Sequence, residues 1–594
     1  MDPVVGTVAL ATAAAAAALG TASALLDRGR FRPWLRASAV AVWVATLVLS
    51  IQIWTENYEV TYVADHVRPG MDGALRLAAL WAGSEGSMLF FCAVVVAVLA
   101  VCTPPRRWQQ AAASGTTAVL ATTCALAADP FERLDLAPLE GLGPPPILEH
   151  PAMLIHPPLL YLGMALCLAP ALTAFGDDGA ARRVAAAATA VTTAALALGA
   201  VWAYVELGWG GWWAWDPVEN VALVCWLLLL ASLHSRRQTT RLRLYAALWP
   251  AVFGGAALTR TSLRTSVHAF ADASAIGWGL WPLTALATAG ALVVWRVAAG
   301  PSGHSRTWHG RQRTVAVALL VISAAVVALG TYRPFLPGAA TQGWFYSRLL
   351  FGPLVLALPL MSLRSADRKN VLLAAAGGMV GAAVALSTGA HQPAQVALAA
   401  AAGSAMATGL SPRQQVRSLA HLGFALVAVG IVGTTAASTV ASTLQVGTPQ
   451  TVRGHEVELI ALDVVEDPFL AVEASIEIDG SPHVTSIVQR VDRGVRISEA
   501  ATDRGLLGDV QVILRSADDT GAAAVLINVQ PLTSLVWIGA AMIAAAALCT
   551  AVRRDPCHRS SRPTAADSTD CARAVSVESE SRLRAQEDDL HTHL

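Results

Sequence analysis

Charge is scarce in this sequence. Asp, Glu, Lys and Arg make up 14% of its 594 residues, against 55% hydrophobic. A soluble domain carries roughly a quarter charged residues, so this chain cannot coat a large water-facing surface. The positive and negative charges balance at zero net, which decides little because their distribution matters more than their sum; no nucleic-acid partner is expected. The cysteines Cys92, Cys102, Cys124, Cys167, Cys225, Cys549, Cys557 and Cys571 include no CxxC pair. Most sit inside apolar runs and read as small buried residues, with neither a redox pair nor a zinc site indicated. Met1–Gly6 lack a basic stretch, which argues against a cleaved signal peptide. Few Asp, Glu or Lys fall within the apolar runs, which counts against an ion-coupled transporter. No Ser-His-Asp arrangement, acid–base pair or solenoid-type repeat is visible.

Long apolar runs are what the sequence has instead. Crossing a bilayer core takes about 20 residues, and there the backbone must satisfy its own hydrogen bonds, so such runs read as helices. Candidates lie near residues 4–26, 35–53, 87–102, 109–128, 158–176, 183–204, 217–235, 245–261, 276–298, 313–332, 345–363, 369–387, 393–410, 416–438 and 532–552. The expected fold is an all-α polytopic membrane protein of about 15 transmembrane helices. Arginine tests the count. Arg28/Arg30/Arg32, Arg106/Arg107, Arg182/Arg183, Arg236/Arg237/Arg241/Arg243, Arg306/Arg311/Arg313, Arg364/Arg368/Lys369, Arg413/Arg417 and Arg553-Arg554 all fall on one set of alternate loops. By the positive-inside rule that set is cytoplasmic, with the N-terminus outside and the C-terminus inside.

The opposite side receives segments 54–86, 129–157, 205–216 and 262–275, and a longer stretch over about 440–530. That stretch alternates like short strands, as in Val457–Ile460, Ala474–Ile478 before Asp479-Gly480, and Ala523–Val529. The expected organisation is a helical core over 1–438, a small external β domain over 439–531, the last transmembrane helix over 532–552 and a polar, disordered cytoplasmic tail over 553–594.

The densest chemical signal is Trp209-Gly210-Gly211-Trp212-Trp213-Ala214-Trp215-Asp216-Pro217, at the outer start of a helix. Interfacial tryptophans anchor helices, but an anchor does not need four of them interleaved with glycine. Glycine lets backbone approach a flat ligand, and indoles offer a broad apolar face with a polar edge. A platform for a planar cofactor is therefore read alongside the aromatic belt. A porphyrin iron needs axial ligands, commonly histidine. His156 and His268 fall on the same outer side as the tryptophans. His234 and His421 fall inside the membrane near the cytoplasmic face, where an ionisable residue is a functional candidate. Each also has a plainer reading, as a helix cap for His156 or a helix–helix hydrogen bond for His234 and His421. Arg260 and Arg264 lie near His268 in sequence, as candidate haem-propionate partners or as ordinary interfacial arginines.

Here the sequence resembles a known family. Its tryptophan segment is similar to the WWD domain of haem-handling proteins, and the wider pattern resembles the CcmF/CycK/NrfE family of cytochrome c biogenesis proteins. The resemblance is carried by Tyr62-Val63-Ala64, Ala79–Ser87, Asp129-Pro130-Phe131, Ile155–Gly163, Trp212–Asn220, Ser266–Ala271 and Ala420-His421-Leu422-Gly423. Ser84 stands where the family often has histidine, and Thr259–Arg264 departs from its usual pattern. The shorter CcsA family shares the WWD segment and accounts for less of the chain. The resemblance implies a haem lyase in a bacterial cytoplasmic (inner) membrane. It implies that His156 and His268 ligate an external haem substrate cradled by Trp209, Gly210, Gly211, Trp212, Trp213, Trp215 and Asp216. It implies a resident haem b between His234 and His421. It also implies as partners an apocytochrome c, a CcmE-like haem chaperone, CcmH/CcmI-like presenting proteins and a quinol. A haem exporter, a CcsA-like delivery protein and a docking scaffold are the rival readings.

Overall fold

The computed structural model describes residues 1–27, 32–206, 211–261, 274–298, 307–333, 346, 349, 352–362, 368–387, 392–409, 415–435, 437–466, 470–490, 495–518 and 520–553. The expected tail beyond Arg553 lies outside these residues.

Each of the fifteen expected spans coincides with a helix: α1 (Val4–Leu25), α2 (Arg32–Trp54), α5 (Ser84–Cys102), α6 (Arg107–Ala127), α7 (His156–Thr173), α8 (Asp178–Glu206), α9 (Pro217–His234), α10 (Gln238–Thr259), α11 (Ser274–Val297), α12 (Trp308–Tyr332), α13 (Gly352–Ser362), α14 (Arg368–Ser387), α15 (Pro393–Gly409), α16 (Gln415–Thr435) and α17 (Thr533–Val552). Among the described residues, 11 helices are long and apolar enough to cross a membrane. The others are shorter, as α13 is, or diluted by polar side chains, as α6 is by Gln109, Gln110 and five threonines or serines. With so many apolar spans the chain is a multi-pass membrane protein.

Two short helices, α3 (Thr61–His66) and α4 (Gly73–Ala79), occupy the expected loop 54–86. They carry several motif residues, whose work is structural. The Tyr62 hydroxyl donates to the Ala79 carbonyl at 2.7 Å and accepts from the Gly83 N–H at 3.0 Å. Gly86 is required because a Cβ there would lie 2.2 Å from that hydroxyl oxygen. The Trp81 indole donates to the Met153 carbonyl at 2.9 Å, tying this knot to the turn that leads into His156.

Eight antiparallel strands separate α16 from α17: β1 (Ser438–Gln445), β2 (Gln450–Val452), β3 (His455–Val465), β4 (Leu470–Ile478), β5 (Ser481–Arg490), β6 (Val495–Arg504), β7 (Gly508–Ala517) and β8 (Ala522–Pro531). The order β1-β8-β7-β6-β5-β4-β3-β2, with a bridge from Val446 to Leu459, curls the sheet into a barrel-like form. Alternate residues such as Val525 and Ile527 fill its core. Asp479-Gly480 makes the two-residue turn joining β4 and β5, both with positive φ, as a type I′ hairpin demands. The sheet meets the C-terminal end of α8, where the Tyr204 hydroxyl donates to Asp509 at 3.0 Å and Gln511 donates to the Tyr204 carbonyl at 2.9 Å.

Candidate functional site

The tryptophan segment enters α9 through a capping box. Asp216 accepts from the Val218 N–H at 2.9 Å, and Glu219 reaches back to accept from the N–H groups of Ala214 and Asp216 at 3.0 and 3.1 Å. Pro217 supplies the fixed φ of a first helical residue. The Asp216 carboxylate is thus committed to the helix start, and its structural task is to aim the loop. Trp215 sits at φ +59, an uncommon conformation for a bulky residue. Its indole stacks on Tyr346, centroids 4.6 Å apart and planes within 12°.

Around it the indoles meet edge to face. Trp213 contacts Trp215 at 5.9 Å, and Trp212 contacts Trp213 at 6.5 Å and Trp537 of α17 at 6.2 Å. Gly211, Trp212, Trp213 and Trp215 open onto a chamber of ≈860 Å³ floored by Trp226 and Phe424 and walled by α8, α9, α15, α16 and α17. The size lies within the roughly 300–1,000 Å³ usual for cofactor pockets.

His156 starts α7 but does not cap it. Its Nδ1 donates across to the Ala195 carbonyl of α8 at 2.9 Å. Gly199 makes this possible, since a Cβ there would fall 2.6 Å from His156 Cε1. Trp202 stands edge-on to the ring at 5.9 Å. His156, Trp202, Glu206, Trp213 and Glu219 line a smaller cavity of ≈50 Å³. The buried indole N–H groups of Trp202 and Trp213 find no acceptor among the described residues, as expected where a ligand carries the acceptors. His150 stands 3.7 Å from Glu206, and burial, aided by Arg504, pushes its imidazole below the usual histidine range. Arg260 places its guanidinium over the Phe91 ring at 6.0 Å. Trp209, Gly210, Arg264 and His268 lie outside the described residues, so the partner expected for His156 does too.

The second pair is brought together. His234 ends α9, an 18-residue helix about 27 Å long, so it lies at the opposite end of the bundle from the tryptophans. Its ring faces His421 of α16 with centroids 6.2 Å apart and planes within 2°. An iron held end-on by two imidazoles separates their centres by roughly 6 Å, two bonds of about 2 Å plus the ring radii. His234 Nδ1 donates to the Leu230 carbonyl of its own helix at 2.8 Å, which leaves Nε2 with the lone pair a metal needs. Both rings open onto a cavity of ≈350 Å³. The donor set, spacing and space fit a haem. The two larger cavities share Trp226, Leu354, Phe424 and Ile543 as a common wall.

Tyr346, Trp202 and Trp537 were not singled out from sequence. Trp537 lay open to detection, five residues past the start of the last apolar run and hence level with the other tryptophans.

A family model described as "Cytochrome C assembly protein" matches residues 178–259, from α8 to the end of α10. The cytochrome c-type biogenesis protein NrfE of Haemophilus influenzae is 27% identical, over 84% of this chain and 89% of that one. CcmF of Escherichia coli is 28% identical, over 88% and 91%. A solved structure described as "Cytochrome c Heme Lyase CcmF" matches the fold with a TM-score of 0.76 at 21% identity, over 93% of this chain and 98% of that one. Over nearly its whole length the chain is thus similar to cytochrome c-type biogenesis proteins of the CcmF and NrfE type.

Proposed function

We propose that this protein is a haem lyase of cytochrome c maturation, holding haem at the tryptophan face and presenting its vinyl groups to the CxxCH thiols of an apocytochrome c. The observation that supports the reading is the His234–His421 pair: 187 residues apart in sequence, yet parallel with ring centres 6.2 Å apart. In the reaction each thiol adds across one vinyl group. A sulfur–carbon bond forms, the vinyl π bond breaks, and the thiol hydrogen ends on the terminal vinyl carbon, with no net oxidation.

The chain's part is orientation and exclusion of water. His156, buried and fixed by Ala195, offers Nε2 toward the cavity it shares with Trp213. Trp212, Trp213 and Trp215 clasp the substrate ring, Trp209, Gly210 and Gly211 complete the platform, and Asp216 sets the loop's direction. His268 is the second external ligand, with Arg260 and Arg264 available to the propionates. His234 and His421 would hold a b-type haem, which when bound would supply single electrons, drawn from a quinol, to keep substrate iron reduced. The regions 1–438, 439–531, 532–552 and 553–594 act as helical core, external β domain, last span and cytoplasmic tail. The tryptophan face and barrel lie outside a bacterial inner membrane, as do the CcmE-like donor and the CcmH/CcmI-like presenters.

The test is a pyridine haemochrome spectrum of detergent-purified wild type beside His156→Ala, His268→Ala, His234→Ala and His421→Ala, with covalent haem staining of a co-expressed apocytochrome. The expected result is b-type haem lost in the last two variants, and attachment lost in all four. Colourless wild-type protein, or haem moved across vesicles without attachment, would sink the reading.

A further inference from the structure

The cavity at the inner end carries a feature that two histidine ligands do not explain. Arg182 of α8, Arg313 of α12 and Arg417 of α16 all line it, with His234 and His421. Three cations on one small cavity repel one another and are costly to hold unless something negative joins them. Among the described residues neither Arg182 nor Arg313 forms an ion pair with a carboxylate. The charges acting on Arg313 are instead those of Arg236, Arg417 and Arg182.

The lining is also graded. On α12 it runs from His309 and Arg313 to Leu319 and Leu320, and on α16 from Arg417 to Phe424. On α9, which packs against α12, the order reverses, from Trp226 to His234. The charged end and the histidines therefore share one level, and the far end is wholly apolar. A haem has the same asymmetry, with two carboxylates on one edge and methyl and vinyl groups on the other. Guanidinium is the side chain suited to carboxylates in a partly buried site.

We propose that Arg182, Arg313 and Arg417 form a guanidinium clamp for the two propionates of the haem bound between His234 and His421. The clamp fixes the ring so that its apolar edge abuts Trp226 and Phe424, the wall shared with the tryptophan chamber. This rests on the haem-binding reading above and adds which way round the haem sits. It also sets a potential. Positive charge disfavours the ferric form, which carries one charge more than the ferrous.

The experiment uses full-length protein from haem-limited cells, in a His156→Ala background so that the inner site titrates alone. Haem and haem dimethyl ester, whose propionates carry no charge, are the two probes. Unsubstituted clamp protein should bind haem at least about tenfold more tightly than the ester, and Arg182→Gln, Arg313→Gln or Arg417→Gln should each weaken haem roughly ten- to a hundredfold. Each should leave the ester's affinity unchanged and lower the midpoint potential, and Arg313→Lys should restore part of both. The ester arm needs no clamp variant, so misfolding cannot imitate its result. Equal affinity for haem and ester, or unchanged affinity and potential in all three Gln variants, overturns the clamp. Retention of the low-spin bis-imidazole spectrum after His234→Ala overturns the haem reading itself.

Discussion

Gly199 shows how one missing methyl group can place an imidazole. His156 packs into the space a side chain would take, 2.6 Å from an added Cβ. Gly199→Val should push the imidazole off its Ala195 bond, and a displacement near 1 Å at a reacting centre can lower turnover about a hundredfold. Covalent haem staining should fall accordingly while the b-type spectrum from His234 and His421 stays, and equal loss of both would mean general misfolding. Asp216 is a second single-residue lever. Asp216→Ala removes a cap worth about 1 kcal/mol, so hydrogen exchange at the first turn of α9 should quicken while the far end of that helix is unaffected. That result would separate its role as a cap from any direct contact with haem.

At the scale of elements, α16 and α17 cross closely because glycine lines both. A Cβ on Gly423 would lie 2.6 Å from the Gly539 carbonyl, and one on Gly430 would lie 2.7 Å from Val536 Cγ2. Such small-residue contacts take the place of hydrophobic driving force between helices in lipid. Gly430→Leu should force the two helices apart, lower the thermal midpoint by several degrees and, because α16 carries His421, release most of the b-type haem during purification. The spans themselves were legible in the sequence because each needed only an apolar run. The Asp479-Gly480 hairpin was legible because its turn type demands those residues. The α3–α4 knot was not, since nothing local in Tyr62 or Gly86 reveals that they meet.

Across the whole molecule, what the sequence conveyed was relative depth. It set His234 and His421 at one level and the tryptophans at another, and they stand at opposite ends of α9. It could not supply Tyr346, which reaches Trp215 from more than a hundred residues away, nor the wall that two cavities share. Both depend on which helices become neighbours, and apolar faces in lipid do not advertise their partners. The barrel's attachment belongs to this scale. Tyr204→Phe deletes the hydroxyl bond to Asp509, a contact to a charged group worth about 1.5–3 kcal/mol. Limited proteolysis should then cut between the strands faster while fragments of the helical bundle keep their size. Unchanged cleavage would assign the attachment to Gln511 and the chain connections.

Those connections have a mechanical side. β1 follows α16 and β8 runs directly into α17, so the barrel is strung between two rods that touch through glycine. One rod bears His421 and the other bears Trp537, which leans on Trp212. Anything that grasps the barrel and tilts it moves both rods together. Arrival of a partner protein would therefore be felt at His421 and at the tryptophan cluster at once, in the manner of a handle soldered to the jaws it works.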